Sequence, residues 1–312
     1  MKDKTASVFV AIVGRPNVGK SSLLNRLVGE KAAIVTPKPQ TTRTRITGIL
    51  TKGPVQYVFI DTPGIHTPRT RLGGRMAKTV TESAQEGDVV LMLFEPEGTL
   101  RPAEEEMLGA LKGSVAYAFI NKADTVQKGR VLAERKAEIE GLSVFRQVLV
   151  GSAQTGEGCD ELLAVLAAHA LPGPHFFPDD AYTDQPEKQL AAEIVREKLL
   201  LYLQEEIPHG TAVEVERFHE REKPAGSAKG KPGQVPAAPT AVIDMDIVIY
   251  CEKKSHKGMI IGKGGQMLKK VAGEARLELE DILGAKVNLQ CWVKVREGWR
   301  NNDAMLGRMG FK

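Results

Sequence analysis

The chain has 312 residues, 43 Lys and Arg against 39 Asp and Glu, 42% hydrophobic and 5% aromatic residues. That length exceeds what one hydrophobic core usually spans, so two domains are expected. A net charge of +4 excludes a global polycation, and any nucleic-acid surface has to come from local clustering of charge. Apolar runs such as Val8–Val13 and Leu162–Ala168 end after about six or seven residues, far short of a membrane span. Cys159, Cys251 and Cys291 are scattered and form no CxxC pair, which argues against a disulfide framework or a zinc ribbon and fits a reducing compartment. Asp3 interrupts the basic opening and the apolar run after it is short, so no targeting peptide is expected.

In chain order, strand candidates Val8–Val13, Arg45–Thr51, Val55–Ile60, Val89–Phe94, Ala116–Ile120 and Gln147–Val150 alternate with helical stretches. The helices fall around Ser21–Leu27, Glu104–Leu111, Arg130–Glu140 and Cys159–Ala170. Such alternation predicts an α/β domain over residues 1–170, with a mostly parallel, doubly wound sheet covered on both faces. Residues 171–185 are rich in proline and read as a linker. A helix over Glu187–Glu206 opens the second domain, residues 186–300. There, Ile243, Met245, Ile247 and Ile249 alternate with polar residues, as do Val287, Leu289, Cys291, Val293 and Val295. Leu268, Ala272, Ala275, Leu279 and Ile282 step by three and four. This pattern predicts a small α+β domain with an antiparallel sheet, followed by a tail over residues 301–312. A Lys/Gly/Pro/Ala-rich stretch over residues 219–240, with Gly226, Lys229, Lys231 and Pro232, reads as a disordered insertion; an extra basic RNA contact is the minority reading.

Four strings carry the chemistry of the first domain. Gly14-Arg15-Pro16-Asn17-Val18-Gly19-Lys20-Ser21 fits GxxxxGK[ST] between a buried strand and a helix. Its glycines let backbone N–H groups wrap phosphates, Lys20 reaches the β- and γ-phosphates, and Ser21 offers a hydroxyl to Mg²⁺; Ser22 follows in the same helix turn. Asp61-Thr62-Pro63-Gly64 ends a strand, where Asp61 can hold Mg²⁺ through water and the Gly64 N–H can meet the γ-phosphate. In Asn121-Lys122-Ala123-Asp124, Asp124 would accept from guanine N1–H and the 2-amino group, Asn121 would bond the base edge, and the Lys122 stem would cover its face. Adenine would present an acceptor to Asp124, and sites built on such bonds reject the wrong ligand by about four or five powers of ten. In Gly151-Ser152-Ala153 a backbone N–H from Ser152 or Ala153 could meet the guanine oxygen. All four lie at strand C-terminal ends, where a doubly wound sheet places its ligand.

With these strings in this order, the domain resembles the translation-factor-related, Ras-like GTPases. By that likeness Gln40-Thr41-Thr42-Arg43 is the first switch, and Thr42 would close onto Mg²⁺ and the γ-phosphate in the GTP state, with Thr41 as the second candidate. Ile65 stands where Ras-type enzymes keep a water-orienting Gln, so intrinsic hydrolysis should be slow. In relatives with that substitution an Asn at the position of Asn17 can hold K⁺, which makes K⁺ activation a hypothesis here. The catalytic set is then Lys20, Thr42, Gly64 and Asn17, whereas His66 and Arg69 read as a solvated switch loop.

In the second domain Gly262-Lys263-Gly264-Gly265 follows Gly258-Met259-Ile260-Ile261. It fits the GxxG loop of KH domains, whose backbone N–H groups clamp about four nucleotides. Lys253, Lys254, Lys257, Lys263, Lys269 and Lys270 cluster there without an acidic residue between the first and the last. Lys257, Ile260, Ile261 and Gly262–Gly265 are the RNA candidates, with the two isoleucines flooring a groove beneath bases. Trp292 and Trp299 could stack on bases, although edge packing is the expectation for both.

The P-loop domain, the linker, Gly258–Gly265 and the ending from Trp292-Val293-Lys294-Val295 to Gly298-Trp299 together resemble the bacterial Era GTPase family over nearly the whole chain. That resemblance implies GTP and GDP as ligands, a type II KH fold, and binding near the 3′ end of 16S ribosomal RNA. It also implies a role in 30S subunit maturation, a monomer in the bacterial cytoplasm and peripheral association with the inner membrane. The competing readings are a membrane-associated signalling GTPase whose C-terminal module binds protein or anionic lipid, and a passive RNA chaperone that binds GTP without useful turnover.

Overall fold

The computed structural model describes residues 5–65, 68, 70–127, 129–223 and 240–311. His66, Arg69 and residues 224–239 of the predicted insertion lie outside the described residues. The chain divides into two compact units, residues 1–185 with 310–312 and residues 186–309.

In the first unit, β1 (Ala6–Gly14) is followed by α1 (Lys20–Val28), β2 (Ile46–Lys52), β3 (Val55–Asp61), α2 (Arg71–Glu86), β4 (Val89–Phe94) and α3 (Pro102–Ala110). Then come β5 (Ala116–Ile120), α4 (Arg130–Glu140), β6 (Val148–Val150), α5 (Cys159–Ala167) and β7 (Leu171–Pro172). The strands form one sheet in the order β2-β3-β1-β4-β5-β6, with β7 added beside β1. The β1–β3, β1–β4, β4–β5 and β5–β6 pairs are parallel, while β2 and β7 pair antiparallel to β3 and β1. Val8, Val10, Ala11, Ile12 and Val13 are all fully buried, because helices cover both faces of this central strand. Val8, Val10 and Ile12 join one core with Leu23 and Leu24 of α1, and Val13 joins the other with Val80 of α2 and Leu108 of α3. The parallel strands end on one side at Gly14, Asp61, Phe94, Ile120 and Val150, and the four strings that carry the chemistry of this domain begin at the ends of β1, β3, β5 and β6.

The proline-rich stretch is not a free tether. Gln56, fully buried on β3, accepts from the Phe176 and Phe177 N–H groups at 2.8 and 3.0 Å and donates to the Phe177 carbonyl at 2.9 Å. Phe176 packs edge-on against Phe9. Thr183 donates to the Thr47 carbonyl at 2.7 Å, so the segment is fastened along β1, β3 and β2.

The second unit contains α6 (Glu187–Tyr202), β8 (Ala212–Lys223), β9 (Thr240–Cys251), α7 (Lys254–Ile261), α8 (Gln266–Leu283), β10 (Lys286–Val295) and α9 (Asp303–Arg308). Its sheet has the order β10-β9-β8. Ile243, Met245, Ile247 and Ile249 point inward to Ile194 and Leu199 of α6 and Val271, Ala275 and Leu279 of α8. Three expectations need correction. Only the β8–β9 pair is antiparallel; β10 runs parallel to β9, because α7 and α8 carry the chain back across the sheet before it re-enters. The predicted insertion does not begin at His219, since β8 continues to Lys223. Its polar alternation there is matched across the ladder, where Arg221 Nε donates to Asp244 Oδ2 at 2.7 Å. The first helix ends at Tyr202 rather than Glu206, and Leu203 is already extended.

Candidate nucleotide and RNA sites

The phosphate loop is shaped by backbone that only glycine adopts easily. Gly19 has φ 99°, and an added Cβ would overlap the Asn121 amide nitrogen. Gly14 has φ 147°, whereas at Gly64 the limit is space, for a Cβ there would lie 2.6 Å from the Pro16 nitrogen. Around this loop is a cavity of about 450 Å³ lined by Pro16, Asn17, Gly19, Lys20, Ser21 and Ser22, by Thr36, Pro37, Gln40, Thr41 and Thr42, and by Gly64 and Lys122. Lys20 is buried and donates to the Gly14 and Arg15 carbonyls at 3.0 Å each. Burial lowers its pKa to about 8, with the Asp61 charge opposing. A polyphosphate in the cavity would restore the ammonium's advantage.

Three predicted metal ligands converge beside it. Ser21 Oγ donates to Asp61 Oδ2 at 2.6 Å and lies 2.8 Å from Thr42 Oγ1, which itself donates to Asp61 Oδ2 at 3.3 Å. Thr41 instead donates to the Lys38 carbonyl at 2.7 Å. Burial pushes the Asp61 carboxyl up, against the pull of Lys20 and of its hydrogen bonds with Ser21 and Thr42. Asp61 Oδ1 is buried and has no hydrogen-bond partner among the described residues. Two hydroxyls and a carboxylate with an orphaned oxygen, next to a phosphate loop, fit Mg²⁺, which takes oxygen donors and shares them with phosphates.

Several predicted ligands serve the scaffold instead. Thr62 Oγ1 donates to the Ile12 carbonyl at 2.8 Å. Asn121 is also held by the scaffold: its Nδ2 donates one hydrogen to the Val18 carbonyl at 2.8 Å, which leaves the second for a base edge, and its Oδ1 accepts from the Ala153 N–H at 2.9 Å. It thus ties the phosphate loop to the base loop. The Ser152 N–H donates to the Glu157 carbonyl at 2.9 Å, so in this conformation neither it nor the Ala153 N–H awaits a guanine oxygen. Asp124 is exposed beside Lys122. Asn17 Nδ2 donates to the Pro37 carbonyl at 2.7 Å, which leaves Oδ1 as the end suited to a cation. Ile65 packs against a hydrophobic core, as an aliphatic side chain should.

Two residues at this site escaped sequence reasoning. Arg26 of α1 donates from Nε to the Ala153 carbonyl at 2.9 Å, bracing the base loop. Glu95, just past β4, contacts both Arg15 and Lys122. No motif spacing marks either, although Glu95 stands at a strand's carboxyl end, where ligand-site residues gather.

In the second unit, Gly262, Gly264 and Gly265 have φ of 73°, 60° and 79°, which explains three glycines in four positions between α7 and α8. Lys253, Lys254, Lys263, Lys269 and Lys270 are exposed and Lys257 is half-buried. Lys270 also lies 3.8 Å from the Tyr202 ring centroid, an electrostatic contact with the ring face. Ile260 is corrected as a groove floor: its side chain is fully buried in the core, while Ile261 is half-buried. The exposed apolar side chain next to the loop is Met259, at 53% exposure. Helical spacing from Ile260 would have pointed to it. Trp299 is fully buried and donates from Nε1 to the Gly210 carbonyl at 2.9 Å, which removes it from base stacking, whereas Trp292 is exposed.

Comparison with known proteins agrees with this geometry. Residues 9–122 match the family model of the 50S ribosome-binding GTPases, and residues 237–300 match that of the KH domain. The GTPase Era of Caldanaerobacter subterraneus is 43% identical over 97% of each chain, and that of Clostridioides difficile is 40% identical over 98% of each. The crystal structure of an Aquifex aeolicus Era variant bound to GDP·AlF4⁻ superposes with a TM-score of 0.88 at 35% identity, covering 98% of this chain and 99% of that one. Era in complex with MgGDPNP and nucleotides 1506–1542 of 16S ribosomal RNA gives the same TM-score at 34% identity, with the same coverage.

Proposed function

The chain belongs to the Era GTPase family and is a GTPase with a KH domain; from that premise we propose that it is a switch that binds 16S ribosomal RNA through the KH domain and assists maturation of the 30S subunit. The observation that carries this reading is the pairing, in one chain, of the Lys20–Ser21–Thr42–Asp61 cluster with the lysine-rimmed Gly262–Gly265 loop. Water attacks the γ-phosphorus, the bond to the β–γ bridging oxygen breaks, and GDP and phosphate leave, the water's proton going to phosphate. Lys20 and the backbone N–H groups of Asn17–Ser21 and Gly64 meet the charge that develops on the phosphate oxygens. Ser21, Thr42 and Asp61 would hold Mg²⁺, which supplies positive charge to the β- and γ-phosphates. Thr42 sits in the first switch segment, so its contact with the phosphate site links nucleotide state to that segment's position. Asp124 and Lys122 select and cover guanine. Ile65 packs against the core and carries no group that orients water, so the intrinsic rate is slow; Asn17 Oδ1 would hold a K⁺ ion, whose positive charge would speed the reaction. The protein acts as a monomer in the cytoplasm; peripheral association with the inner membrane rests on the family resemblance alone. Among the described residues no helix is long and apolar enough to cross a membrane.

RNA enters at Gly262–Gly265, where lysines neutralise phosphates and backbone N–H groups approach the chain closely. Gly264→Asp tests this with Gly264→Ala beside it: nothing lies within 4 Å of an added Cβ there, both variants carry the backbone strain of φ 60°, and their difference reports the added charge, whereas at Gly262 a Cβ would lie 2.7 Å from Met267 Cβ. Fluorescence anisotropy with a fragment from the 3′ end of 16S ribosomal RNA should record at least about a tenfold loss of affinity from the added charge. GDP binding should be unchanged. Undiminished RNA affinity, with binding to anionic vesicles reduced instead, would favour the signalling alternative.

A further inference from the structure

Beyond the four nucleotide motifs, one carboxylate joins two of them. Glu95 Oε1 accepts from Lys122 Nζ at 2.7 Å, and Glu95 Oε2 accepts from Arg15 Nη2 at 3.2 Å. Arg15 belongs to the phosphate loop, yet its side chain does not line the cavity and is nearly buried, at 7% side-chain exposure. On its other side Arg15 Nε lies 3.2 Å from Glu104 Oε1. Glu104 is itself immobilised, for its Oε2 accepts from the Arg101 N–H at 3.0 Å at the start of α3. The main chain of Glu95 is held as well, since its carbonyl accepts from Nε of the buried Arg135 at 3.3 Å. Glu95 therefore has a fixed backbone and a carboxylate divided between the loop that wraps phosphates and the lysine that covers the base.

We propose that Glu95 is a positioning residue for guanine-nucleotide binding: it locks Lys122 and the phosphate loop into one preassembled unit, so that base and phosphates meet a site already in register. The physical grounds are those of preorganisation. A long lysine side chain loses much rotamer freedom when it lies across a base, and an ionic hydrogen bond that holds it beforehand removes that loss from the binding step. Glu104 alone can neutralise Arg15, so loss of Glu95 leaves the buried arginine paired while freeing Lys122. The effect should fall on nucleotide affinity more than on folding.

This inference rests on Lys122 covering guanine, and the test separates the two. GDP dissociation is measured by stopped-flow fluorescence with a mant-labelled GDP for Glu95→Ala, Glu95→Gln, Lys122→Ala and the Glu95→Ala/Lys122→Ala double variant, with thermal unfolding recorded for each. Glu95→Ala should speed dissociation by about five- to tenfold, the size of one partly exposed ionic hydrogen bond. Glu95→Gln should fall between it and the wild type, and the loss should appear in KM for GTP rather than in kcat. The double variant should dissociate no faster than the faster single variant. If Lys122→Ala speeds release while Glu95→Ala does not, or if the two effects multiply, the clamp is refuted although Lys122 keeps its role. If Lys122→Ala changes nothing, the reading of Lys122 fails and the clamp with it. A fall in melting temperature for Glu95→Ala without faster release would make Glu95 merely structural and overturn the proposal.

Discussion

Replacing Gly19 with alanine should damage both halves of the nucleotide site at once. At φ 99° an alanine is strained by roughly 1–2 kcal/mol. Its Cβ also overlaps Asn121 Nδ2, whose bond to the Val18 carbonyl, like the bond from the Ala153 N–H to Asn121 Oδ1, must then stretch or break. Leaving such buried groups unpaired costs about 1–3 kcal/mol. If the Asn121 displacement falls mainly on the nucleotide-binding geometry, GDP affinity drops by about one to two powers of ten, at 1.4 kcal/mol per decade. Gly29→Ala is the internal control, because Gly29 caps α1 at φ 87° with nothing within 4 Å of an added Cβ. It carries the backbone strain without the collision. Calorimetric titration of GDP into both nucleotide-stripped variants, with thermal unfolding in parallel, separates the two contributions. Gly29→Ala should lower the melting temperature and leave GDP affinity within about twofold, since the added strain is about 1–2 kcal/mol and sits outside the pocket. Wild-type GDP affinity in Gly19→Ala, or an equal loss in both variants, would refute the role given to Asn121.

Asp124→Asn should shift preference from guanine toward xanthine nucleotides in a competition assay, and unchanged GTP affinity would overturn the assignment of Asp124 to the base. Turnover should be faster in KCl than in NaCl at matched ionic strength, and equal rates would remove K⁺ from the account. In the KH unit, hydrogen bonds from Arg221 and Asn288 lower the Asp244 carboxyl from 3.8 to about 2. A lowered folded-state value means that this stabilisation is complete above about pH 4 and is lost as pH falls through about 2. Thermal unfolding between pH 5 and 2 should therefore be less steep for Asp244→Asn than for the wild type. Identical profiles would show that the carboxylate gives no folded-state advantage.

The phosphate-loop helix and the buried strands were legible because each depends on local rules, whereas Thr42 beside Ser21 and Asp61 was named from the family likeness alone. A glycine-bounded string must follow a strand, and a continuous aliphatic run must be covered on both faces. Helix α2 was harder to see. Gly73 and Gly74 weaken its propensity, and its buried face of Leu72, Met76, Val80, Ser83 and Ala84 includes a serine. The direction of β10 was not legible either, because alternation fixes which face is buried but says nothing of which way a strand runs. Ile260 and Ile261 are equally apolar in sequence, and only packing against α8 decided that Ile260 enters the core while Met259 faces outward. Asn121 was read from its motif as a base ligand, and the motif gave no sign that its amide also joins residues 103 and 32 positions away. Contacts at such separations, like those of Glu95 and Arg26, follow from topology rather than from spacing.

The measurement that bears most directly on a nucleotide-controlled RNA switch is RNA affinity in the two nucleotide states. A fragment spanning nucleotides 1506–1542 of 16S ribosomal RNA, the segment bound in the Era complex, is titrated into the protein loaded with GDPNP and with GDP. The account predicts affinities that differ by at least about fivefold, the lower end of ordinary coupling between sites, and by reciprocity the RNA must shift the GDPNP-to-GDP preference by the same factor. Equal affinity in both states, with both nucleotides bound, would contradict it.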